Sequence, residues 1–310
     1  RRIPYSVDFG TNCLTFKHIE NGVELPTETC QVSFGEDGAS NSEVHNAGEI
    51  WANMLWEVYV SLVQAHGYQD GRDRMISYLI DGLKMTPSSP TFTEARDGVL
   101  AAAMATDFKD FALASRAFAK RGIGVHAVSP PRSDSDHAGV VESYVALVGS
   151  APELGVLKDD DCDGDGVLDA GETATVEVSL LNNGGYEPGS SVEIGISTTA
   201  PELSLGSDTL TIKLGDVGET VSAELELSLD DSVDEIIELP ITLTLTPAGT
   251  PDPAVEYPDP VEVVLLANSD IARTATSDDF ENPVLSEPDW ARESVGTTDQ
   301  WELVNEDELL

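Results

Sequence analysis

Basic residues are scarce in this 310-residue chain: 16 Lys and Arg stand against 57 Asp and Glu, a formal net charge of −41 and a pI near 4.1. Neutralising nucleic-acid phosphates or an anionic lipid surface takes clustered Lys and Arg, so neither is expected as a partner. No stretch approaches the ~20 apolar residues that span a bilayer, so no membrane insertion is expected either. Cysteine is sparse, at positions 13, 30 and 162. Cys13 and Cys30 are spaced to close a small loop, but three thiols leave the pairing and the redox compartment open. The start, Arg1-Arg2-Ile3-Pro4-Tyr5, has neither Met nor an apolar run behind it. It reads as a chain cut from something longer, not as a signal peptide.

What is present argues for folded modules. Hydrophobic residues make up 40% of the chain, too many for a disordered acidic tail, and the length suits two or three domains. The charge is uneven. Residues 1–150 hold 19 acidic and 12 basic residues, net −7, whereas residues 151–310 hold 38 and 4, net −34. The expected organisation is a mainly helical lobe over 1–150, an all-β sandwich of immunoglobulin-like kind over 151–268, and a linker with the opening of a further β module over 269–310, around Asp278-Asp279-Phe280-Glu281, Trp290 and Trp301.

The helical reading rests on periodicity. Ser40-Asn41-Ser42-Glu43 has the form of a capping box, and behind it Val44, Ala47, Trp51, Met54, Leu55, Val58, Leu62 and Val63 recur at helical spacing until Gly67. Three more helices are expected, from Asp70 towards Pro87, after Pro90 through Ala102, and from Phe108 to Arg121-Gly122. Trp51, Trp56 and Tyr59 lie on or beside the apolar stripe and read as core packing. From residue 173 the period becomes two: 176–180, 192–196, 210–214, 221–229, 241–245 and 261–265 alternate apolar with polar, separated by turns such as Asn182-Asn183-Gly184-Gly185.

Several segments of the first half occur in a telling order: Arg2-Ile3-Pro4-Tyr5-Ser6, Asn12-Cys13-Leu14-Thr15-Phe16, Ser42-Glu43-Val44-His45-Asn46-Ala47-Gly48-Glu49-Ile50-Trp51-Ala52, Asp81-Gly82-Leu83-Lys84, Ala95-Arg96-Asp97 and Ala117-Phe118-Ala119-Lys120-Arg121-Gly122. Together they resemble the fungalysin family of secreted zinc metallopeptidases, over roughly residues 1–145. The part resembled is the C-terminal helical lobe of a thermolysin-like catalytic domain. The resemblance implies a secreted metalloendopeptidase that hydrolyses polypeptide substrates with zinc-activated water. The histidines at 18, 45, 66, 126 and 137 all lack the His-Glu-x-x-His context, so the zinc ligands are expected upstream and the chain by itself is expected to be inactive. His45 matches the family histidine that hydrogen-bonds the tetrahedral intermediate. Where the thermolysin-like pattern places an orienting Asp, this chain has Ser40; Glu49, one turn beyond His45, is positioned to orient or protonate the ring. The remaining histidines read as surface or loop residues.

The segment 161–172 fits the twelve-residue calcium-loop template, with Asp161, Asp163, Asp165, Asp169 and Glu172 at positions 1, 3, 5, 9 and 12 and Gly166 at position 6. Asp161, Asp163, Asp165, Asp169, Glu172 and the Val167 carbonyl are the expected Ca²⁺ ligands, with Cys162 facing away. A strand follows instead of a helix, and the loop resembles entry loops of bacterial extracellular β-sandwich domains. Other extracellular modules of the same parent chain are possible partners. The rival reading is a non-catalytic adhesion or scaffold protein built from such modules.

Overall fold

The α1 helix (Val44–His66) buries Ala47, Ile50, Met54, Val58 and Leu62, residues three and four apart that make one stripe. The structure, a computed structural model, describes residues 2–33, 38–159, 166–247 and 252–269. Residues Arg1–Ser269 form one compact unit, distinct from Asp270–Leu310, where the expected further β module lies outside the described residues. Gly67, with φ +80°, ends α1 and starts α2 (Tyr68–Met85), so a single residue separates the two. α3 (Phe92–Thr106) begins with a capping box: Thr91 Oγ1 accepts from Glu94 N at 3.3 Å and Glu94 Oε2 accepts from Thr91 N at 2.8 Å. α4 (Phe108–Lys120) is capped by Asp107, which accepts from Lys109 N at 2.9 Å. The box expected at Ser40 does not form. Ser40 Oγ donates to Asn21 instead, and Glu43 caps α1.

Two glycines, Gly82 in one of the family-like segments and Gly98 just after another, explain how α2 and α3 meet. A Cβ on Gly82 would sit 2.8 Å from Val99 N, and one on Gly98 would sit 2.7 Å from Gly82 O. The helix backbones touch there, and no side chain fits between them. Trp51 stacks on Phe118 with ring centres 5.9 Å apart and meets Phe92 edge-on, as expected of core packing, whereas Trp56 remains 38% exposed.

The C-terminal part is a β domain of two four-stranded antiparallel sheets. One has the order β2 (Glu153–Asp159), β3 (Thr173–Leu181), β7 (Thr220–Leu229), β5 (Leu203–Leu205). The other has β10 (Val261–Ala267), β8 (Ile237–Pro247), β4 (Ser191–Thr198), β6 (Thr209–Lys213). Val176, Val178, Leu225 and Leu227 from the first share a core with Ile194, Ile196, Ile241 and Leu243 from the second. The period-two stretches all became strands. β2 was not legible because its register shifts between Leu154 and Leu157, which breaks the alternation. A short parallel pair, β1 (Leu147–Val148) with β9 (Val255–Glu256), fastens the connecting segment to the β domain.

The irregular N-terminal segment is fixed to α1 by a buried polar seam. Asn46, Glu49, Asn53 and Glu57 lie three and four residues apart on one helix face and are all buried. Arg2 Nε donates to Glu49 Oε1 at 2.5 Å and Arg2 N to Glu49 Oε2 at 2.7 Å. Ser6 N donates to Asn53 Oδ1 at 2.9 Å. Arg121, 1% exposed, donates to Glu57 Oε1 at 2.7 Å and to the carbonyls of Ser6, Asn12 and Leu14. The Cys13–Cys30 disulfide, with Cα atoms 5.7 Å apart, closes the loop between them. Removing one partner of a buried ion pair leaves the other charge stranded, a loss of about 3–5 kcal/mol. Arg121→Met is expected to lower the unfolding free energy of the helical lobe, measured by urea titration, by that amount. An unfolding free energy within about 1 kcal/mol of wild type would remove Arg121 from its structural role.

Candidate active site

The start of α1 places His45 on the surface. Its side chain is 70% exposed, and Val44 beside it is 73% exposed. Glu43 makes this end rigid in two ways. Its Oε2 accepts from His45 N at 2.8 Å and from Asn46 N at 3.1 Å, which satisfies two of the helix's free N–H groups. Its Oε1 lies 2.8 Å from His45 Nδ1. Burial opposes ionisation of Glu43, but hydrogen bonds from the His45 ring and from the Asn46 and His45 backbones outweigh it, holding the carboxyl below its ordinary pKa. The carboxylate sits at a positive helix end, where a lone imidazolium is disfavoured, and offsets that disfavour. With Nδ1–H given to Glu43, a protonated ring presents Nε2–H outward as a donor.

Glu49 does not orient this ring. Both its oxygens are taken by Arg2 inside the seam, so the expectation of a helical partner one turn on is corrected to Glu43, two residues before. The signal for Glu43 was present in the sequence as an acid immediately before the first helical residue. Asn46 Nδ2 donates to the Ser40 carbonyl at 2.8 Å, which fastens the turn entering the helix.

The other histidines have structural partners. His18, expected at the surface or in a loop, is 3% exposed, with Nδ1 2.9 Å from Thr15 N; burial drives its pKa down to about 4. His66 Nε2 is 2.5 Å from Asp110 Oδ1, and Asp110 also accepts from Arg74 and Tyr78, both at 2.6 Å. His126 Nε2 lies 2.5 Å from Glu256. His137 packs edge-on to Phe92 at 6.1 Å.

Among the described residues no group of three or more His, Cys, Asp or Glu is arranged to hold a metal ion. Asp161, Asp163 and Asp165 lie outside the described residues. The described end of that loop is firmly anchored. Glu172 Oε2 accepts from Asp169 N at 3.0 Å, Ala170 N donates to Asn268 at 2.8 Å, and Val167 is buried.

Residues 1–127 match the family described as fungalysin metallopeptidase (M36). Extracellular metalloproteinase 3 of Arthroderma otae is 36% identical over 105 residues, covering 29% of this chain and 17% of that protein. Extracellular metalloproteinase 2 of Trichophyton tonsurans is 29% identical over 138 residues, covering 40% and 19%. Extracellular metalloproteinase mep of Aspergillus terreus is 31% identical over 141 residues, covering 41% and 19%. The chain thus spans less than a fifth of the length of these relatives. Among solved structures, SSP-19, an MSP-domain protein-like family member of Caenorhabditis elegans, is matched at a TM-score of 0.22 and 16% identity, over 33% of this chain and 92% of that one. A score that low assigns no fold.

The Asp110 cluster gives a pH prediction. Burial pushes the Asp110 carboxyl up, but hydrogen bonds from Tyr78, His66 and Arg74 outweigh it, so its pKa is depressed. A depressed carboxyl stabilises fully above its unfolded pKa of about 4, and this stabilisation is lost as pH falls through the folded value. Asp110→Asn is expected to cost about 3 kcal/mol at neutral pH and progressively less below about pH 4. Urea unfolding at several pH values checks this; a cost that does not vary with pH would contradict it.

Proposed function

We propose that the chain supplies the helical half of the catalytic domain of a secreted zinc metalloendopeptidase, followed by a calcium-bearing β-sandwich. The observation that carries the reading is the exposed His45 held at Nδ1 by an ionised Glu43, inside the segment that matches the fungalysin family. When a peptide carbonyl is attacked, negative charge develops on its oxygen. A fixed donor aimed at that oxygen stabilises the transition state more than the ground state. The Nε2–H of protonated His45 is such a donor. The described residues contain no group of three or more His, Cys, Asp or Glu that could hold zinc, and the metal's ligands are assigned upstream of this sequence. Extracellular location is supported by the relatives' names and by the Cys13–Cys30 disulfide, which suits an oxidising compartment.

The sandwich reading draws on strand pairing. The order β2-β3-β7-β5 opposite β10-β8-β4 follows the ABED and GFC sheets of an immunoglobulin-like domain. It departs from that scheme in β5, which precedes β6 in the chain. Within 161–172 the acidic spacing supports Ca²⁺, with Asp161, Asp163, Asp165, the Val167 carbonyl, Asp169 and Glu172 as ligands.

In a parent protein that also contains a His-Glu-x-x-His segment, His45→Ala is expected to lower kcat by about 10²–10³ with little change in KM. A kcat near wild type would reduce His45 to a surface residue of the helix start, and a parent without His-Glu-x-x-His would favour the scaffold reading. For the loop, millimolar Ca²⁺ is expected to raise the melting temperature of the β domain in the full chain, because the ion binds the folded loop. Identical melting in Ca²⁺ and EDTA would reduce it to an acidic linker.

A further inference from the structure

The side-chain contacts between basic and acidic groups at the junction of helical lobe and β domain are of a single polarity. Among the described residues, Lys109 Nζ lies 3.0 Å from Asp216, Arg116 2.5 Å from Asp252, and His126 2.5 Å from Glu256. The lobe supplies the basic group each time and the β domain the acid. Arg116 also donates to the Gly184 carbonyl at 3.2 Å. Gly184 reaches α4 because it has no side chain: a Cβ there would lie 2.5 Å from Ala112 Cβ. The apolar part of the junction is built on Ala112, Ala119, Ala146 and Leu147, with Phe111, Val217 and Ala254 packed against them, and the backbone of Ala146 donates to the Ala254 carbonyl at 2.6 Å.

The whole-body charges oppose this contact. Residues 151–269 contain 26 acidic residues and two lysines, net −24, while residues 1–150 are themselves net −7. One of the two lysines, Lys158, is 2.6 Å from Glu177 within the β domain. Two bodies of like sign are therefore joined, beside the β1–β9 pair and the apolar cluster, by local charged contacts of opposite sign. These two interactions differ in range. Ion pairs at about 3 Å act well inside any ordinary Debye length, whereas net charges repel over tens of ångströms. The Debye length is about 8 Å at 0.15 M salt and about 30 Å at 0.01 M. Lowering the salt thus releases the repulsion far more than it strengthens the pairs.

We propose that the face of the lobe formed by α4 and His126 is a docking surface for an acidic partner, the β domain of the same chain, and that docking requires roughly physiological ionic strength. The junction includes His66 at the C-terminal end of α1, beside a cleft of about 700 Å³ also lined by Lys109, Arg116 and Tyr257. His45 is at the other end of a 23-residue helix, a rise of about 34 Å. Undocking therefore happens far from His45, and the inference is independent of the peptidase reading.

Zero-length carbodiimide cross-linking of the full chain, read by mass spectrometry, tests it. Lys109–Asp216 reports the junction, and Lys158–Glu177, at 2.6 Å inside the β domain, is the internal reference. The Lys109–Asp216 yield relative to the reference is expected to fall at least about threefold from 0.15 M to 0.01 M NaCl. Arg116→Glu is expected to lower it at both salts. Replacing the exposed Glu193, Glu224, Glu226, Glu238 and Glu262 by Gln, none of which is at the junction, is expected to restore it at low salt. A ratio that stays constant or rises at low salt would overturn the proposal, since local pairs alone would then govern docking. So would a parallel loss of both cross-links, which signals unfolding of the β domain, or a failure of the five-fold variant to restore the junction.

Discussion

The buried guanidinium of Arg121 holds the helical lobe together at the point where three parts of the chain meet. It lies at the end of α4, pairs with Glu57 on α1, and donates to the carbonyls of Ser6, Asn12 and Leu14 in a segment without regular structure. A segment of that kind has backbone groups that must be paired once buried. A planar, permanently charged donor with five N–H groups can satisfy several of them at once, which Lys could not do in the same geometry. Lys120 adds a second contact to Glu57 at 2.9 Å and one to the Val7 carbonyl at 2.6 Å.

The same seam reaches the candidate active site. Arg2 occupies both oxygens of Glu49 and donates to the Asn46 carbonyl at 2.9 Å and to Asn41 Oδ1 at 2.9 Å. The first turn of α1 is thus fixed from its buried side, and Glu43 fixes it from its exposed side. His45 inherits its direction from both. A donor that must meet a developing charge gains from such rigidity, because nothing has to reorganise when the charge appears. At the far end of α1, Asp110 gathers His66, Arg74 and Tyr78, tying α1, α2 and α4 together.

Periodicity made much of this fold legible. The apolar stripe from Ala47 to Leu62 and the alternation in β3, β4, β7 and β8 are direct records of which face is buried. The family-like segments also had physical reasons that became visible only in three dimensions: Arg2, Lys120 and Arg121 are seam residues, and Gly82 is one half of the helix crossing that Gly98 completes. Partners far apart in sequence were not legible, since Arg2 and Glu49 are 47 positions apart and no spacing rule connects them. The polar stripe of Asn46, Glu49, Asn53 and Glu57 did carry a signal, because polar residues at helical spacing beside an apolar stripe mark a second buried contact. Glu49 is one turn from His45 but is taken by Arg2, which no spacing rule connects to it. Glu43 took the place expected of Ser40 because a carboxylate reaches two backbone N–H groups and the ring together.

The central claim is that His45 contacts charge which exists only in the transition state. Inhibition of the parent peptidase by a phosphinic peptide, whose tetrahedral anionic centre resembles that state, tests it most directly when compared with a substrate-like peptide inhibitor. Replacing His45 by Phe is predicted to weaken the phosphinic inhibitor by about 10²-fold and to leave the substrate-like inhibitor nearly unchanged. Equal affinity of wild type and variant for the phosphinic peptide would contradict the account.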